Sequence, residues 1–369
     1  MPTNDDPQLY RALRSVSLIA LCLSLVACAS AGPVTVVSPR PAAALARPPA
    51  VAASEPPPTP TLPVAAPVAA PVETPAPPAE APPAGELASG ALRFRGHDED
   101  ALIGQMATRE VRRVIERFNS STLVFHLDLG DGYEIAFKPA RRGEGQWWRH
   151  EILGYRLARA LQITARVPPA VSRTVPLRVL EGYLRDANLE VDAQGNVAGA
   201  AIYWMPTLAR TDLQSEAARA VWNQWLDPTQ PIAQEHRRRA MQLATLIVFD
   251  YLQANFDRWN SANIRADEGD DLVFRDNNRA WYPENLRLIT RGGLAGIRRI
   301  PRALRAAIEG ATLERLRAEI RRDPMSAPLL RRLARSGGRA YNFRRTALLR
   351  QIDAAIAQYG AHNVLIDEN

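Results

Sequence analysis

The fold prediction depends most on two stretches of the sequence: FDYLQANFDRWN over residues 249–260 and VFRDNN over residues 273–278. The first stretch begins in an apolar helix and places Asp257 in the loop that follows. The second places Asp276 just beyond a short hairpin, for which strand signals occur at residues 263–264 and 272–274. Phosphoryl transfer from a nucleotide needs such a pair, because one carboxylate accepts the proton of the attacking hydroxyl and another holds the metal ion. The two aspartates are therefore the first candidates for a functional site.

The N-terminal residues 1–27 are typical of a lipoprotein signal peptide. Arg11 and Arg14 precede an apolar run over residues 16–26, and the sequence LVAC over residues 25–28 ends in Cys28, the predicted lipidation site. The run is shorter than the roughly 20 residues that a membrane span needs, although an uncleaved anchor remains the alternative. Ala29 follows Cys28, where a retention signal for the inner membrane would be Asp. By analogy with bacterial lipoproteins we expect a lipid-anchored protein of the cell envelope, in the outer membrane.

Residues 28–87 are predicted to be a disordered linker. Between residues 29 and 86 the chain has 17 of its 30 prolines and no aromatic residue, so it cannot bury enough apolar surface to fold. All seven tryptophans follow residue 92, which indicates a folded domain over residues 88–369. Removal of the signal peptide would discard Cys22 and leave only the lipidated Cys28, which excludes a disulfide framework or a thiolate metal site. The net charge of +7 is moderate, and no nucleic-acid-binding motif occurs.

The folded part is predicted to be an α+β domain with two lobes. Its small N-lobe, about residues 92–206, is rich in strand signals, and its C-lobe, about residues 207–369, is mostly helical. The turn sequence at residues 130–132 predicts a hairpin between strands at residues 122–129 and 133–138. Further extended segments are expected at residues 170–179 and 199–205. Helices are expected at residues 101–118, 147–161, 212–225, 235–254, 301–321, 326–336 and 342–358.

Lys138 and Glu151 add two more charges to the aspartate pair. Lys138 ends a predicted strand, and Glu151 lies in the next helix. A strand lysine paired with a helix glutamate is how protein kinases fix the amine that binds the nucleotide phosphates. Taken singly, each residue has a structural interpretation: a solvated strand end, an exposed helix carboxylate, an ion pair between Asp257 and Arg258, or turn chemistry at Asp276. The order Lys, Glu, Asp, Asp along the chain favours the functional interpretation.

The flanking residues resemble the secreted atypical kinases, the Golgi casein kinase and four-jointed group with bacterial spore-coat kinase relatives. The sequence EILGYRLARAL at residues 151–161, followed by VPP at 167–169, is similar to a helix of that family. FKP at 137–139, FDYLQANFDR at 249–258 and DN at 276–277 are similar to its nucleotide-binding, catalytic and metal-binding segments. The resemblance covers about residues 122–280 and implies a two-lobed protein-kinase-like fold.

The resemblance also implies a role for each matching residue. Lys138 would bind the phosphates of ATP with Glu151 orienting it, and Asp257 would be the catalytic base. Asp276, with Asn263 as a second ligand, would bind Mg²⁺ or Mn²⁺. Additional nucleotide contacts are expected from the hinge residues Trp204 and Met205, and from Ser120 and Ser121 in the loop over the phosphates. Two features depart from the family pattern: Asn263 is six residues after Asp257 rather than five, and the phosphate loop lacks glycine.

These observations predict an envelope-anchored, ATP-dependent kinase that phosphorylates a hydroxyl of a protein substrate. Two alternatives stay open from the sequence. The first is a pseudokinase that binds a nucleotide or a partner without turnover. The second is a kinase of a carbohydrate or another envelope polymer, which needs the same four residues.

Overall fold

The computed structural model describes residues 92–119, 122–144, 147–259, 263–281 and 297–367. All of them belong to one compact unit, Pro83–Asn369. The predicted signal peptide, Cys28, the proline-rich linker, Ser120 and Ser121 lie outside the described residues. Within the described ranges, no helix combines the length and the apolar character needed to cross a membrane.

A five-stranded antiparallel sheet organises the first half of the described chain. A short hairpin, β1 (Arg93–Phe94) and β2 (His97–Asp98), leads into helix α1 (Glu99–Thr108). The sheet follows, with strand order β3-β4-β5-β7-β6. Its strands are β3 (Arg113–Asn119), β4 (Leu123–Gly130), β5 (Tyr133–Pro139), β6 (Ala170–Pro176) and β7 (Asn196–Tyr203). The predicted turn joins β4 to β5, and Gly130, Asp131 and Gly132 all take the positive φ angles that such a tight turn requires.

Helix α2 (Trp147–Ala160) connects β5 to β6 and packs against the sheet. Pro139 is the last residue of β5, opposite Gly199 of β7. Ile152, Leu153 and Leu157 of α2 are fully buried. Short helical turns at Thr164–Arg166, Leu177–Leu180 and Glu181–Tyr183 connect this region to β6 and β7.

The second half is mostly helical. Its helices are α3 (Glu216–Trp225), α4 (Gln234–Gln253), α5 (Arg302–Gly310), α6 (Leu313–Arg321), α7 (Ser326–Arg332) and α8 (Gly338–Tyr359), with short turns at Asp257–Trp259, Leu333–Gly337 and Ala361–Val364. A small antiparallel sheet contains β8 (Ala209–Arg210), β9 (Arg265–Ala266) and β10 (Leu272–Val273), and β11 (Ile300–Pro301) pairs in parallel with β12 (Leu365–Ile366). The predicted α+β class, strand-rich first and helical second, is confirmed.

Two helix predictions need correction. The helix predicted over residues 101–118 ends at Thr108, because Arg109 takes an extended backbone with φ −60° and ψ 141°. The remaining residues form β3, whose pairing with β4 outweighs their local helical pattern. The helix predicted over residues 301–321 is two helices, and Thr312 begins the second by accepting a hydrogen bond from the Arg315 amide at 3.2 Å.

Candidate active site

A cleft of about 580 Å³ opens between the five-stranded sheet and the helical half. Val124, Ala136 and Ile202 line it from the sheet side. Leu208 and Asp276 line it from the segments that precede β8 and follow β10. Its walls are mostly apolar with a few charged groups at one end, which is the usual composition of a small-molecule site.

Three of the predicted residues meet at the charged end of this cleft. The Lys138 amine donates to Glu151 Oε1 at 2.5 Å and to Asp276 Oδ1 at 2.7 Å. Lys138 is on β5, Glu151 on α2, and Asp276 lies 138 residues further along the chain than Lys138. The sheet and the helical half therefore supply one ion-paired cluster, as predicted from the order of these residues.

The electrostatics of the cluster keep both cleft-facing groups charged. Burial opposes the charge of Lys138, but Asp276 and Glu151 outweigh it and raise the pKa of the amine. Burial would likewise raise the pKa of Asp276, yet the charge and hydrogen bond of Lys138 hold it below its ordinary value. An ammonium and a carboxylate are thus available at neutral pH for binding phosphate and a cation.

Glu151 links the cluster to the segment that follows Asp276. Its second oxygen, Oε2, accepts from the Asn277 amide at 2.9 Å. The adjacent turn of α2 approaches the same segment closely, since a Cβ added to Gly154 would lie 3.0 Å from Asn277 Cβ. Glycine at this position therefore lets helix and loop touch, and the position of α2 determines the position of Asp276.

The backbone at Asp276 is held in an unusual conformation. Its φ angle is +63°, in the left-handed region that non-glycine residues rarely adopt. The neighbouring residues fix it from two sides. The carbonyl of Asn278 accepts from His150 Nδ1 at 2.9 Å, and the Asn278 side chain donates to Thr122 Oγ1 at 2.9 Å. Burial lowers the pKa of His150 to about 4, so the ring is neutral and this hydrogen bond persists at neutral pH.

A buried polar network joins this segment to the turn at Asp257–Trp259. The Arg258 guanidinium donates to Asn277 Oδ1 at 2.6 Å and forms an ion pair with Asp250 at 3.2 Å. Gln253 donates to the same Asn277 oxygen at 3.0 Å. Asp250 and Gln253 belong to α4 and Arg258 to the turn Asp257–Trp259, so one network sets the turn relative to Asp276. Arg258, which the sequence also allowed as a partner of Asp257, forms its buried ion pair with Asp250 of α4.

Asp257 is the first residue of this turn, and its amide donates a hydrogen bond to Asn255 Oδ1 at 3.1 Å. The Asn263 side chain donates to the Asp257 carbonyl at 2.9 Å and to its carboxylate Oδ2 at 3.1 Å. Asn263, predicted as a second metal ligand, thus orients Asp257 through its amide nitrogen. Its metal-binding role stays a prediction.

The predicted hinge residues Trp204 and Met205 both line the cleft, at the end of β7. The Trp204 ring stacks on His126 with centroids 3.8 Å apart and on Phe118 with centroids 5.9 Å apart. His126 in turn bonds Glu134 at 2.8 Å. This layer of aromatic rings offers a flat apolar surface on which a nucleobase could stack.

The donor set at the charged end suits a hard divalent cation. Asp276 has a quarter of its side chain exposed and lines the cleft, and carboxylate oxygens are the ligands that Mg²⁺ and Mn²⁺ prefer. Within the described ranges, no group of three or more His, Cys, Asp or Glu could hold a metal alone. Asp276 would hold such a cation through its carboxylate, with water or other oxygen ligands completing the coordination.

Sequence reasoning missed the residues that hold the site in place. The sequence predicts only that Asp250, Gln253 and His150 lie in helices, and the fold is what brings them to residues 276–278. One sequence signal was available: Lys138 is the only lysine in a chain whose 46 Lys and Arg residues are otherwise all Arg. Arginine cannot replace the compact ammonium that a phosphate-binding lysine provides.

Comparisons with known proteins identify the fold. No family model matches the sequence, and no curated protein matches it. Among solved structures, the Golgi casein kinase matches with a TM-score of 0.51 and 15% identity, over 72% of this chain and 78% of that one. The Golgi casein kinase with Mn and ADP bound gives a TM-score of 0.51 at 16% identity, over the same shares of the two chains. Hydra Fam20, solved with sugar, gives 0.52 at 16% identity, over 72% of this chain and 91% of that one. The chain has an atypical protein-kinase-like fold.

Proposed function

We propose that this chain is an envelope-anchored, ATP-dependent kinase that transfers the γ-phosphate to a hydroxyl of a protein substrate. The observation that carries the proposal is the contact of Lys138 with both Glu151 and Asp276 at one end of an apolar cleft. The atypical kinase-like fold supports it, because phosphoryl transfer depends on positioning such groups rather than on a covalent intermediate.

In this proposal the cleft binds ATP with its base against Trp204 and its phosphates toward Lys138. The Lys138 ammonium would hold the α- and β-phosphates, and Glu151 would keep the amine in place. Asp276 would hold Mg²⁺ or Mn²⁺, which when bound neutralises charge on the phosphate oxygens. Because Lys138 and Asp276 hold each other before a nucleotide enters, little reorganisation is needed on binding.

Asp257 is the proposed catalytic base. Its carboxylate would accept the proton of the acceptor hydroxyl as the new oxygen–phosphorus bond forms and the bond between the β- and γ-phosphates breaks, releasing ADP. The Asn263 amide orients this carboxylate by donating to Oδ2. Arg258 sets the distance between this turn and the segment of Asp276 through Asn277.

The proposed location is the cell envelope, with the lipid anchor attached to Cys28. The sequence LVAC over residues 25–28 supports lipidation there and export of the rest of the chain. We expect a metabolically supplied fatty-acid analogue to label the wild type and not Cys28→Ala. Labelling of both, or of neither, would contradict the anchor.

A nucleotide-binding pseudokinase is the second candidate. The loop between β3 and β4 favours it, because residues 119–122 contain no glycine to bring backbone amides close to phosphates. Hydroxyl groups of that loop would have to contact the phosphates instead.

Labelling of envelope fractions with γ-phosphate-labelled ATP tests the proposed reaction. The full-length chain is expected to label a protease-sensitive product when Mn²⁺ or Mg²⁺ is present, and Asp276→Ala is expected to label nothing. A protease-resistant product would make the acceptor a carbohydrate or another polymer. Nucleotide binding without any labelled product would favour the pseudokinase.

A further inference from the structure

Helix α2 carries Glu151 near its start and a buried arginine, Arg159, two turns later. Arg159 is only 4% exposed, and three carboxylates surround its guanidinium. Its Nε donates to Glu319 Oε2 at 2.9 Å. Its Nη1 lies 3.2 Å from Glu99 Oε2 and 3.0 Å from Asp100 Oδ1.

These carboxylates belong to two different helices. Glu99 and Asp100 begin α1, whereas Glu319 is in α6 of the helical half. Glu99 also accepts from the Tyr155 hydroxyl at 2.7 Å, which adds a second contact between α1 and α2. One guanidinium therefore joins α2 to both an N-terminal helix and a helix of the second half.

Arg156, one turn before Arg159 in α2, reinforces the same connection. Arg156 pairs with Asp323, just after α6, at 3.4 Å. Asp323 also accepts from the Ser172 amide of β6 at 3.1 Å. The C-terminal half of α2 is thus fixed to the helical half, while its N-terminal half presents Glu151 to Lys138.

The charge of Arg159 is secured by its surroundings. Burial opposes it, but the hydrogen bond to Tyr155 and the charges of Glu319 and Asp100 outweigh burial and raise the pKa of the guanidinium. Loss of the guanidinium would leave Glu99 and Glu319, both almost fully buried, without their shared cation. Glu319 would keep only its longer contacts with Arg315 and Arg322, at 3.5 and 4.0 Å, so the ion pairs of Arg159 would no longer hold α2 against α1 and α6.

Glu151 tolerates little movement. Its two oxygens are held at 2.5 Å from the Lys138 amine and 2.9 Å from the Asn277 amide, and a shift of about 1 Å would remove both from hydrogen-bond range. Helix α2 transmits any displacement because it is continuous from Trp147 to Ala160.

We propose that Arg159 is a positioning residue that keeps Glu151 against Lys138, so that the nucleotide site is assembled without an activating partner or modification. The biological role of this positioning rests on the proposed function. The positioning itself does not, because the contacts of Lys138 can be probed without a nucleotide.

The single lysine of the chain provides the assay. The full-length protein is treated with an amine-acylating reagent, and mass spectrometry follows the peptide that contains Lys138. In the assembled cluster the Lys138 side chain is buried and its amine is bonded to Glu151 and Asp276, so the reagent reaches the amine only when the cluster opens. We expect slow acylation of the wild type and at least about tenfold faster acylation of Arg159→Met and of Glu151→Gln, in which the open cluster is more populated.

A double variant separates positioning from general destabilisation. If Arg159 acts through Glu151, Arg159→Met adds no further rate in the Glu151→Gln background. The matched control is Arg299→Met, which removes another buried arginine, one that donates to the carbonyls of Trp225, Gln230 and Asn363 away from the cleft. This control is expected to acylate like the wild type.

Glu319→Gln serves as a second variant should Arg159→Met fail to fold, and it is expected to accelerate acylation in the same direction. Arg159 is not a positioning residue if Lys138 in whichever of these variants folds reacts within about twofold of its rate in wild type or in Arg299→Met. Additive effects of Arg159→Met and Glu151→Gln would also overturn the proposal. Because no step requires ATP, a chain that never transfers phosphate would still give a clear result.

Discussion

Gly199 of β7 provides a sharp test of how the sheet positions Lys138. It pairs with Pro139 of β5, and a Cβ at this position would lie 2.5 Å from the Lys138 carbonyl oxygen and 2.5 Å from Phe137 Cε2. Ordinary van der Waals contact begins near 3.4 Å, so Gly199→Ala must separate the two strands by about 1 Å. The Lys138 carbonyl is part of the paired backbone of β5, so it cannot move aside as the end of a flexible side chain could. The substitution is therefore expected to move Lys138 relative to Glu151.

The expected cost of this overpacking is about 1–3 kcal/mol in the free energy of unfolding. A loss of that size lowers Tm by roughly 2–4 °C for each kcal/mol in a domain of this size. Denaturant unfolding measures the stability, and calorimetric titration with ADP and Mn²⁺ measures the nucleotide affinity. We expect both to fall.

Gly104→Ala is the matched control for Gly199→Ala. Gly104 lies inside helix α1 with nothing within 4 Å of an added Cβ, so alanine should leave stability unchanged or raise it by up to about 1 kcal/mol. If Gly199→Ala unfolds like Gly104→Ala and binds ADP with wild-type affinity, the close β5–β7 contact does not position Lys138.

Three further predictions concern the remaining parts of the site. Asp276→Asn should remove the gain in ADP affinity that Mn²⁺ gives the wild type, which calorimetry with and without Mn²⁺ measures; an unchanged gain would place the cation elsewhere. Burial raises the pKa of Asp250 from 3.8 to about 6, against the opposing charge of Arg258, so its protonated form favours the folded state. Its contribution to stability is therefore present near pH 4 and is lost as pH rises through about 6. The free energy of unfolding of the wild type minus that of Asp250→Asn should fall over this pH range. A difference that does not change with pH would contradict the raised pKa of Asp250. Asn263→Ala should lower kcat while leaving ADP affinity nearly unchanged if Asn263 only orients Asp257, whereas a higher Mn²⁺ requirement would support the predicted metal ligation.

Much of the cleft could be predicted from the sequence because its charged residues follow a fixed order and include the single lysine of the chain. The order of Lys138, Glu151 and Asp276 along the chain and their positions on predicted elements place them in one site, and the fold brings all three together. The turn at Gly130-Asp131-Gly132 was also predictable, since few residues adopt positive φ angles in succession.

The parts that could not be predicted depend on tertiary contacts. Residues 113–119 have a helical local pattern, and only the edge of β4 makes them a strand. The break between α5 and α6 has no proline to mark it, and it became visible through the cap at Thr312. The network of Asp250, Arg258 and Asn277 spans residues far apart in the chain, so no local pattern reveals it.

Turnover of ATP by the full-length chain is the most direct test of whether this protein is a kinase with Asp257 as its catalytic base. Steady-state ADP release with Mn²⁺ is measured for the wild type, for Asp257→Asn, and for Arg302→Met, which removes only an exposed ion pair with Asp367. We expect turnover by the wild type and Arg302→Met, and loss of turnover by Asp257→Asn with ADP affinity retained. A wild type that binds ADP and Mn²⁺ without turnover, or an Asp257→Asn variant that turns over normally, would contradict it.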